Sequence, residues 1–379
     1  MANKTVYLDN AATTPLSRGV FNAMRPWLEE QYGNPSSLYK IGREARVAIE
    51  KARKQVADAI CADPDEIFFT GSGTEADNWV ISGVKGGEFI LTTLIEHHAI
   101  LNSVMAFDPS CALYYRVGID GVCVPFTNAE ADFVHFKYYP ALCTAMLLNN
   151  ELGTVQPIRK LFDGFRENGI LHHTDAVQAV GHIPIDVKKL GVDFLSMSAH
   201  KFNGPKGVGA LYVKRGTPLP PFIYGGAQES GKRASTENVA GIVGMGQAIT
   251  EAIENMEERN EHVLHMKRLF VDMCEDEQID MRQNVPFNES GILSVRFPGV
   301  DAESLLLTLD TFGVCASAGS ACNSSSIETS HVLRAIGLSE AEARSTIRFS
   351  FGHQNTEADV LNAVAALKDS LQLLEVKPA

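Results

Sequence analysis

Lys201 lies in the run SMSAHKFNGPKGVGAL (Ser196 to Leu211), an ammonium among small and polar residues at the end of an apolar, strand-like stretch. An amine so placed can condense with an aldehyde, as a pyridoxal phosphate enzyme requires of the lysine that holds its cofactor as a Schiff base. A solvated lysine on a Gly-Pro loop would read the same way, so its neighbours in chemistry have to decide. Asp175, in HHTDAVQAVG, ends another strand-like stretch. A carboxylate there can keep a pyridine nitrogen protonated, or can cap the turn that follows. Gln178, three residues on, could face the same ligand and reach a ring hydroxyl.

Gly71-Ser72-Gly73-Thr74-Glu75 joins a strand to a helix. Its glycines allow a sharp turn, and helix N-terminal amides beside the Thr74 hydroxyl would cradle a phosphate; a plain turn is the alternative, and no Walker GxxxxGK[ST] is present. Glu96-His97-His98 stands at another strand-to-helix junction, where an imidazole could stack on an aromatic ligand or move protons near neutral pH. The two histidines do not make a metal site, since successive helical residues point ~100° apart and no third ligand spacing accompanies them.

Cys322 falls in CASAGSACNSSSIETSHVLRAIG (Cys315 to Gly337), small polar residues that could not pack as a core element. A thiol there is accessible, but with a pKa near ~8.5 it needs a base or cation nearby to act as a nucleophile; an inert cysteine is the other reading. Cys315, between Val314 and Ala316, reads as core. Arg348 would be an unusual charge for a buried strand unless paired, either with a substrate carboxylate held bidentately or with a structural partner. Asn150, in LLNNELGTVQ, could lend an amide hydrogen bond to the same carboxylate.

The elements that must position these groups alternate through the first two thirds of the chain. Ile67–Thr70, Phe89–Thr92, Thr144–Leu148, Gly169–Thr174, Phe194–Met197 and Gly209–Val213 read as short buried strands, with helices at Glu75–Val84, His97–Phe107 and Ile158–Asn168 between them. Such alternation predicts an α/β domain with a mostly parallel sheet, whose ligands sit at the carboxyl ends of strands. A three-four apolar spacing from Val239 to Met256 predicts one long linking helix over about 236–276. Beyond it, strands at Ile292–Phe297 and Ser345–Phe351 and helices at Asp301–Phe312 and Thr356–Leu374 suggest a smaller α+β part, with a capping box at Ser339 and Glu342 after Gly337. The stretch 114–139 has no clear assignment.

With 379 residues, 45% hydrophobic and 21% charged, the chain is an ordinary globular protein large enough for two domains. A net charge of −13 gives no attraction to phosphate backbones or anionic lipid, so neither nucleic acid nor membrane is an expected partner. No apolar run approaches the ~18 residues of a membrane span, and the N-terminus has no signal-peptide core, so a cytoplasmic location is expected. Seven dispersed cysteines fit reduced thiols, and without CxxC or HExxH no dedicated metal site is expected.

Eight runs together resemble the cysteine desulfurases of the class V aminotransferase group, of the nitrogen-fixation and iron-sulfur type. They are YLDNAATTP (7–15), GNPSS (33–37), GSGTEADN (71–78), NNELGTVQ (149–156), HTDAVQAVG (173–181), SAHKFNGPKGVG (198–209), RASTEN (233–238) and GSACNS (319–324), in the family's order over nearly the whole chain. The resemblance implies a fold type I pyridoxal phosphate architecture with a mostly parallel seven-stranded sheet, working as a homodimer. It implies a large cofactor-binding domain over 16–250, a small domain of 1–15 and 251–379, and a mobile cysteine loop at about 318–330.

The resemblance also implies residue roles. Lys201 would hold the cofactor, Asp175 pair with the ring nitrogen, Gln178 contact the ring hydroxyl and His97 stack on the ring. Gly73, Thr74, Ser198 and His200 would hold the phosphate, joined by Thr236 of the other subunit. Asn150 and Arg348 would hold the carboxylate of cysteine, while Cys322 takes its sulfur as a persulfide, releasing alanine, and would be the one residue open to a transient iron-sulfur cluster. The implied partners are L-cysteine and an iron-sulfur scaffold or other sulfur acceptor. Thr127–Tyr139 departs from the family, being short and aromatic where an acidic helix is usual. The alternatives are a selenocysteine lyase or another class V enzyme using the same lysine, and a non-catalytic interaction protein on the same fold.

Overall fold

A computed structural model of the chain describes residues 5–84, 89–107, 112–127, 130, 131, 134, 137, 140–166, 169–319 and 329–374. Its main sheet runs in the order Ile67–Thr70, Gly209–Val213, Phe194–Ser198, Leu171–Asp175, Pro140–Thr144, Phe89–Thr93, Ala112–Val117, Cys123–Val124. Seven strands match the expectation; the eighth is a two-residue edge strand antiparallel to Ala112–Val117. From Phe194–Ser198 to Ala112–Val117 every pairing is parallel, and Gly209–Val213 is the antiparallel exception beside Ile67–Thr70.

Period-two geometry sends neighbouring residues to opposite faces, which is why these strands read as continuous apolar runs rather than alternating ones. Ile67, Phe69, Leu91, Cys143, Leu195, Met197, Ala210 and Tyr212 join one core with Val20, Ile49, Val56, Ile242, Met245 and Ile249 from the helices Arg18–Glu29, Lys40–Ala59 and Val239–Glu254. Phe68, Ile90, Leu142, Phe194 and Leu211 join another with Trp79, Val80, Ile100 and Val104 from the helices Gly73–Gly83 and His98–Phe107. With both faces covered, only the strand ends are left open for a ligand.

A second sheet of three antiparallel strands, Arg282–Gln283, Ile292–Arg296 and Thr346–Ser350, packs its apolar face on Phe270, Leu305, Val360 and Leu367. The N-terminal strand Val6–Tyr7 pairs with Val314–Cys315, and Asp9 bridges to Ser350. The first residues thereby run from the three-stranded sheet across to the main one.

Three expectations need correction. The strand expected at Thr144–Leu148 is Pro140–Thr144. Ala145 and Leu147 still bond to the backbone of His173 and Asp175, but the chain then bends into the turn Asn149–Gly153. The apolar run marks burial on both sides of that bend and does not mark its position. The expected linking helix is two helices, Val239–Glu254 and Met256–Asp276, separated at Asn255 with φ −111° and ψ 14°. The helix starting at Ile158 stops at Asp163. The capping box at Ser339 and Glu342 is present, as is Gly337 in the left-handed region at φ 92°. Ala112–Val117 and Cys123–Val124 give strands to a stretch that the residue pattern left unassigned.

Candidate active site

Lys201 ends the short 3-10 turn Ala199–Lys201 directly after the strand Phe194–Ser198. Its Nζ donates to the carbonyl oxygens of Ala11 at 2.6 Å and Ala12 at 2.9 Å. Those carbonyls are held over the turn because Thr14 bonds to the His200 carbonyl through both its N–H and its hydroxyl, and Asn203 donates to the Pro15 carbonyl. The conformation of YLDNAATTP is therefore a strap that seats the lysine. Gln178 Nε2 donates to the same Ala11 oxygen at 2.7 Å, so the strap connects Gln178 and Lys201.

A cavity opens at the strand ends, lined by Ala11, Ala12, Ser72, Gly73, Thr74, Asp77, His97, Met146, Asn150, Asp175, Val177, Gln178, Ser198, His200, Lys201 and Arg348. Ten of the residues singled out in the sequence meet there, from six stretches of chain. Two do not. Thr236 lines a separate cavity with Gly71, Arg233 and Glu237, so within one chain it stands apart. Cys322 lies outside the described residues, together with most of the 318–330 segment.

Gly73 opens the helix Gly73–Gly83; the N-cap Ser72 takes the Glu75 N–H on its hydroxyl at 3.1 Å and the Ala76 N–H on its carbonyl. The N–H groups of Gly73 and Thr74 belong to the first turn, which has no intrahelical partner and attracts anions. A Cβ at Gly73 would come within 2.5 Å of Val177 Cγ2, so only glycine lets this helix start so close to the Asp175 turn. Glu75 locks the approach from outside: it takes the Gly71 N–H at 2.8 Å and a two-point ion pair from Arg233.

Asp175 ends the strand Leu171–Asp175 and takes the Val177 N–H on Oδ1 at 2.8 Å. Burial pushes its carboxyl up to about 6, against the pull of that N–H and of the Lys201 charge. His97 accepts the Ala99 N–H on Nδ1 at 3.1 Å, which puts its own proton on Nε2. Burial first, then the charges of Lys201, His98 and His331, pull the imidazole down to about 4, so the ring is neutral. His200 is likewise pulled down to about 4 by burial and by Lys201 and Lys206.

Arg348, 2% exposed, rises from the three-stranded sheet into the cavity. Nη1 donates to the Asn150 carbonyl and Nη2 to Asp9 Oδ1, both at 2.7 Å, while Nε is buried with no hydrogen-bond partner. The structural pairing foreseen as one alternative is present. Asp77 and Glu96 are buried carboxyls that the sequence reading did not single out as site residues, although Asp77 lines the cavity. The signal was there: Asp77 stands four residues after Gly73, on the same helical face as the phosphate-cradle candidate.

This arrangement can do a limited set of things. It can form a carbon-nitrogen double bond at Lys201, hold an anion at a helix start, and set a buried carboxylate against a basic ring nitrogen. A family model for class V aminotransferases matches residues 6–362. The cysteine desulfurase IscS of Methanosarcina thermophila is 43% identical over 98% of this chain and 93% of its own length. A solved NifS-like protein superposes with a TM-score of 0.88 at 35% identity, covering 99% of this chain and all of the other, and SspA in complex with cysteine with 0.78 at 34%, covering 93% and all of the other. With a family model over almost its full length and such relatives end to end, the chain belongs to the class V aminotransferases, in their cysteine desulfurase branch.

Proposed function

We propose that this protein is a pyridoxal phosphate-dependent cysteine desulfurase that converts L-cysteine to L-alanine and supplies the sulfur for iron-sulfur cluster assembly. The observation that carries the reading is the convergence of Lys201, Asp175 and the Gly73–Thr74 helix start on one cavity. The donor set suits the cofactor: an amine for its aldehyde, N–H groups with Ser198 and His200 for its phosphate, and a buried carboxyl for its ring nitrogen. Bound there, pyridoxal phosphate supplies an electron sink for the carbanion left when an amino acid loses its α-proton.

The chain's own residues supply the rest. Lys201 Nζ takes the α-proton and returns one to the product. Asp175 holds a negative charge opposite the ring nitrogen, Gln178 fixes the ring hydroxyl, and the neutral His97 ring packs on the aromatic face. Arg348 and the Asn150 amide, both in the wall of the cavity, take the substrate carboxylate. Cys322 attacks the substrate sulfur as a thiolate and keeps it as a persulfide for a scaffold or other acceptor protein.

The enzyme is cytoplasmic and a homodimer, with Thr236 reaching the phosphate site of the other subunit. Residues 16–250 make the large domain, and 1–15 with 251–379 the small one. Purified, cofactor-loaded protein given L-cysteine and a thiol reductant is expected to release sulfide and alanine in equal amounts. Sulfide production that persists in Cys322→Ala refutes the persulfide role, selenide release without sulfide supports a selenocysteine lyase, and a visible cofactor band unchanged in Lys201→Ala refutes the reading altogether.

A further inference from the structure

The turn Ala199–Lys201 has its carbonyl oxygens held by different stretches of chain. The Ala199 oxygen takes the N–H groups of Phe202 and Gly204, the His200 oxygen takes Thr14, and the Lys201 oxygen lies 3.0 Å from His182 Nε2. A carbonyl can only accept, so His182 carries a proton on Nε2 and donates it. His182 is held in its turn: its N–H bonds to the Ala179 carbonyl at 3.0 Å, and its carbonyl takes the Asn260 amide at 2.8 Å. Gly181 lets this bend come close, with φ 82° and a Cβ position only 2.8 Å from Phe202 Cβ.

Asn260 belongs to the helix Met256–Asp276. Two residues further along that helix, His262 Nε2 donates to the Asn355 carbonyl at 2.8 Å, and Asn355 Nδ2 donates to the Tyr7 carbonyl at 3.0 Å. Tyr7 opens the strap whose Ala11 and Ala12 carbonyls receive Lys201 Nζ. One helix therefore reaches the lysine at both ends: its main chain through Asn260 and His182, its amine through His262, Asn355 and the strap. His182 and Asn260 line a different cavity, together with Phe202 and Arg259, and neither is in the wall of the active-site cavity among the described residues. The bond that joins His182 to the site is made to the lysine's own main chain.

We propose that His182 is a positioning residue for Lys201: its Nε2–H fixes the lysine's carbonyl, and with it the direction in which the side chain leaves the turn, while Asn260 ties that setting to the helix Met256–Asp276. The proposal rests on the reading of Lys201 as the amine that holds pyridoxal phosphate and moves the α-proton. A lysine stem is long and flexible, so its amine returns to one place in every turnover only if the main chain at its root does not rotate. Misplacing a reacting group by about 1 Å can cost up to ~100-fold in rate. The His182 side chain is exposed to the second cavity, where water competes for the bond, so losing its donor is expected to cost less, about threefold to tenfold.

The test compares the parent protein with His182→Phe, which keeps a ring and has no donor, His182→Gln, whose amide can still donate, and Asn260→Ala. Three quantities are read: kcat and KM for L-cysteine of the loaded protein, the rate constant with which the bound cofactor's absorbance appears when cofactor-free protein is mixed with pyridoxal phosphate, and the melting temperature without cofactor. His182→Phe is expected to lower kcat and the cofactor-binding rate constant by about threefold to tenfold while KM stays within about twofold, because the amine is disturbed and the carboxylate site is not. Asn260→Ala is expected to do the same by a smaller factor, and His182→Gln to recover most of the loss. A lower melting temperature in His182→Phe with both rate constants at the parent's level would mean a merely structural bond, and overturns the proposal. So does a His182→Gln protein as slow as His182→Phe at the parent's melting temperature. Parent rate constants in Asn260→Ala overturn it too, a readout that stands even if His182→Phe fails to fold. A parent protein that binds no pyridoxal phosphate instead sinks the reading on which the proposal rests.

Discussion

Replacing Glu96 by Gln should flatten the loss of stability that the protein suffers as pH rises. Glu96 is 0% exposed; Oε1 takes the Thr93 hydroxyl at 2.7 Å and the Met146 N–H at 2.9 Å, while Oε2 has no hydrogen-bond partner. Burial pushes the carboxyl up from 4.5 to about 8, with the repulsion of Asp175 adding to it and the two hydrogen bonds opposing it. The folded chain thus holds this proton more tightly than the unfolded chain does. The stabilisation is complete below about 4.5 and disappears as pH climbs through about 8. At ~1.4 kcal/mol per pH unit that interval corresponds to about 5 kcal/mol, and to about 3 kcal/mol if proton exchange with Asp175 absorbs part of it. A glutamine amide keeps the Oε1 acceptor and cannot ionise. Its buried NH₂ costs about 1–3 kcal/mol, but equally at every pH. Urea unfolding of both proteins from about pH 5 to about pH 9, at matched cofactor saturation, should show the variant gaining about 3–5 kcal/mol on the parent across the range. Parallel stability curves would refute the reasoning, since they would mean that Glu96 titrates as it does in the unfolded chain.

Two further substitutions probe the walls of the cavity. Gly73→Ala sets a methyl 2.5 Å from Val177 Cγ2, and β-branched Val177 has little rotamer freedom with which to yield; the expected result is a loss of about 1–3 kcal/mol by urea unfolding and weaker pyridoxal phosphate binding by spectroscopic titration. Asp9→Ala leaves the buried Arg348 guanidinium without its only carboxylate within 4 Å among the described residues, which should cost about 3–5 kcal/mol in the same unfolding assay, while Asp9→Asn keeps the hydrogen bond and should cost less.

Much of this was legible in the residues because the sheet is buried on both faces: most of its strands are dense apolar runs, and chemistry appears where such a run stops or, as in Leu171–Asp175, turns polar. Asp175 and Gly73 sit at those stops, which is why the residue pattern located them, whereas Ser198 was implied only by the family resemblance. Element ends were harder. The expected strand Thr144–Leu148 falls four residues late at both ends because Ala145–Leu148 are as buried as the strand they follow. Asn255 ends a helix with no proline or glycine to announce it. The Ala11 and Ala12 carbonyls that seat Lys201 were invisible for another reason, since backbone oxygens carry no residue identity. Asp77 escaped notice because a carboxylate inside a helix reads as a solvated face until the fold buries it.

For Asp175 and Arg348 the residue pattern offered a structural and a functional role as alternatives, and the geometry joins the two. A charged side chain can be kept in a dry cavity only if enough of its hydrogen-bonding groups are satisfied by the protein to offset desolvation. Arg348 reaches that condition through Asp9 and the Asn150 carbonyl, and Asp175 through the Val177 N–H. The same bonds remove rotational freedom from two side chains that line the cavity. The structural bonds are thus the means by which a reactive site is preorganised, and removing Asp9 or Val177's N–H contact would be expected to loosen ligand binding as well as the fold. It follows that a stability loss in Asp9→Ala without any change in cysteine affinity would separate the two roles after all, and would return Arg348 to a purely architectural part.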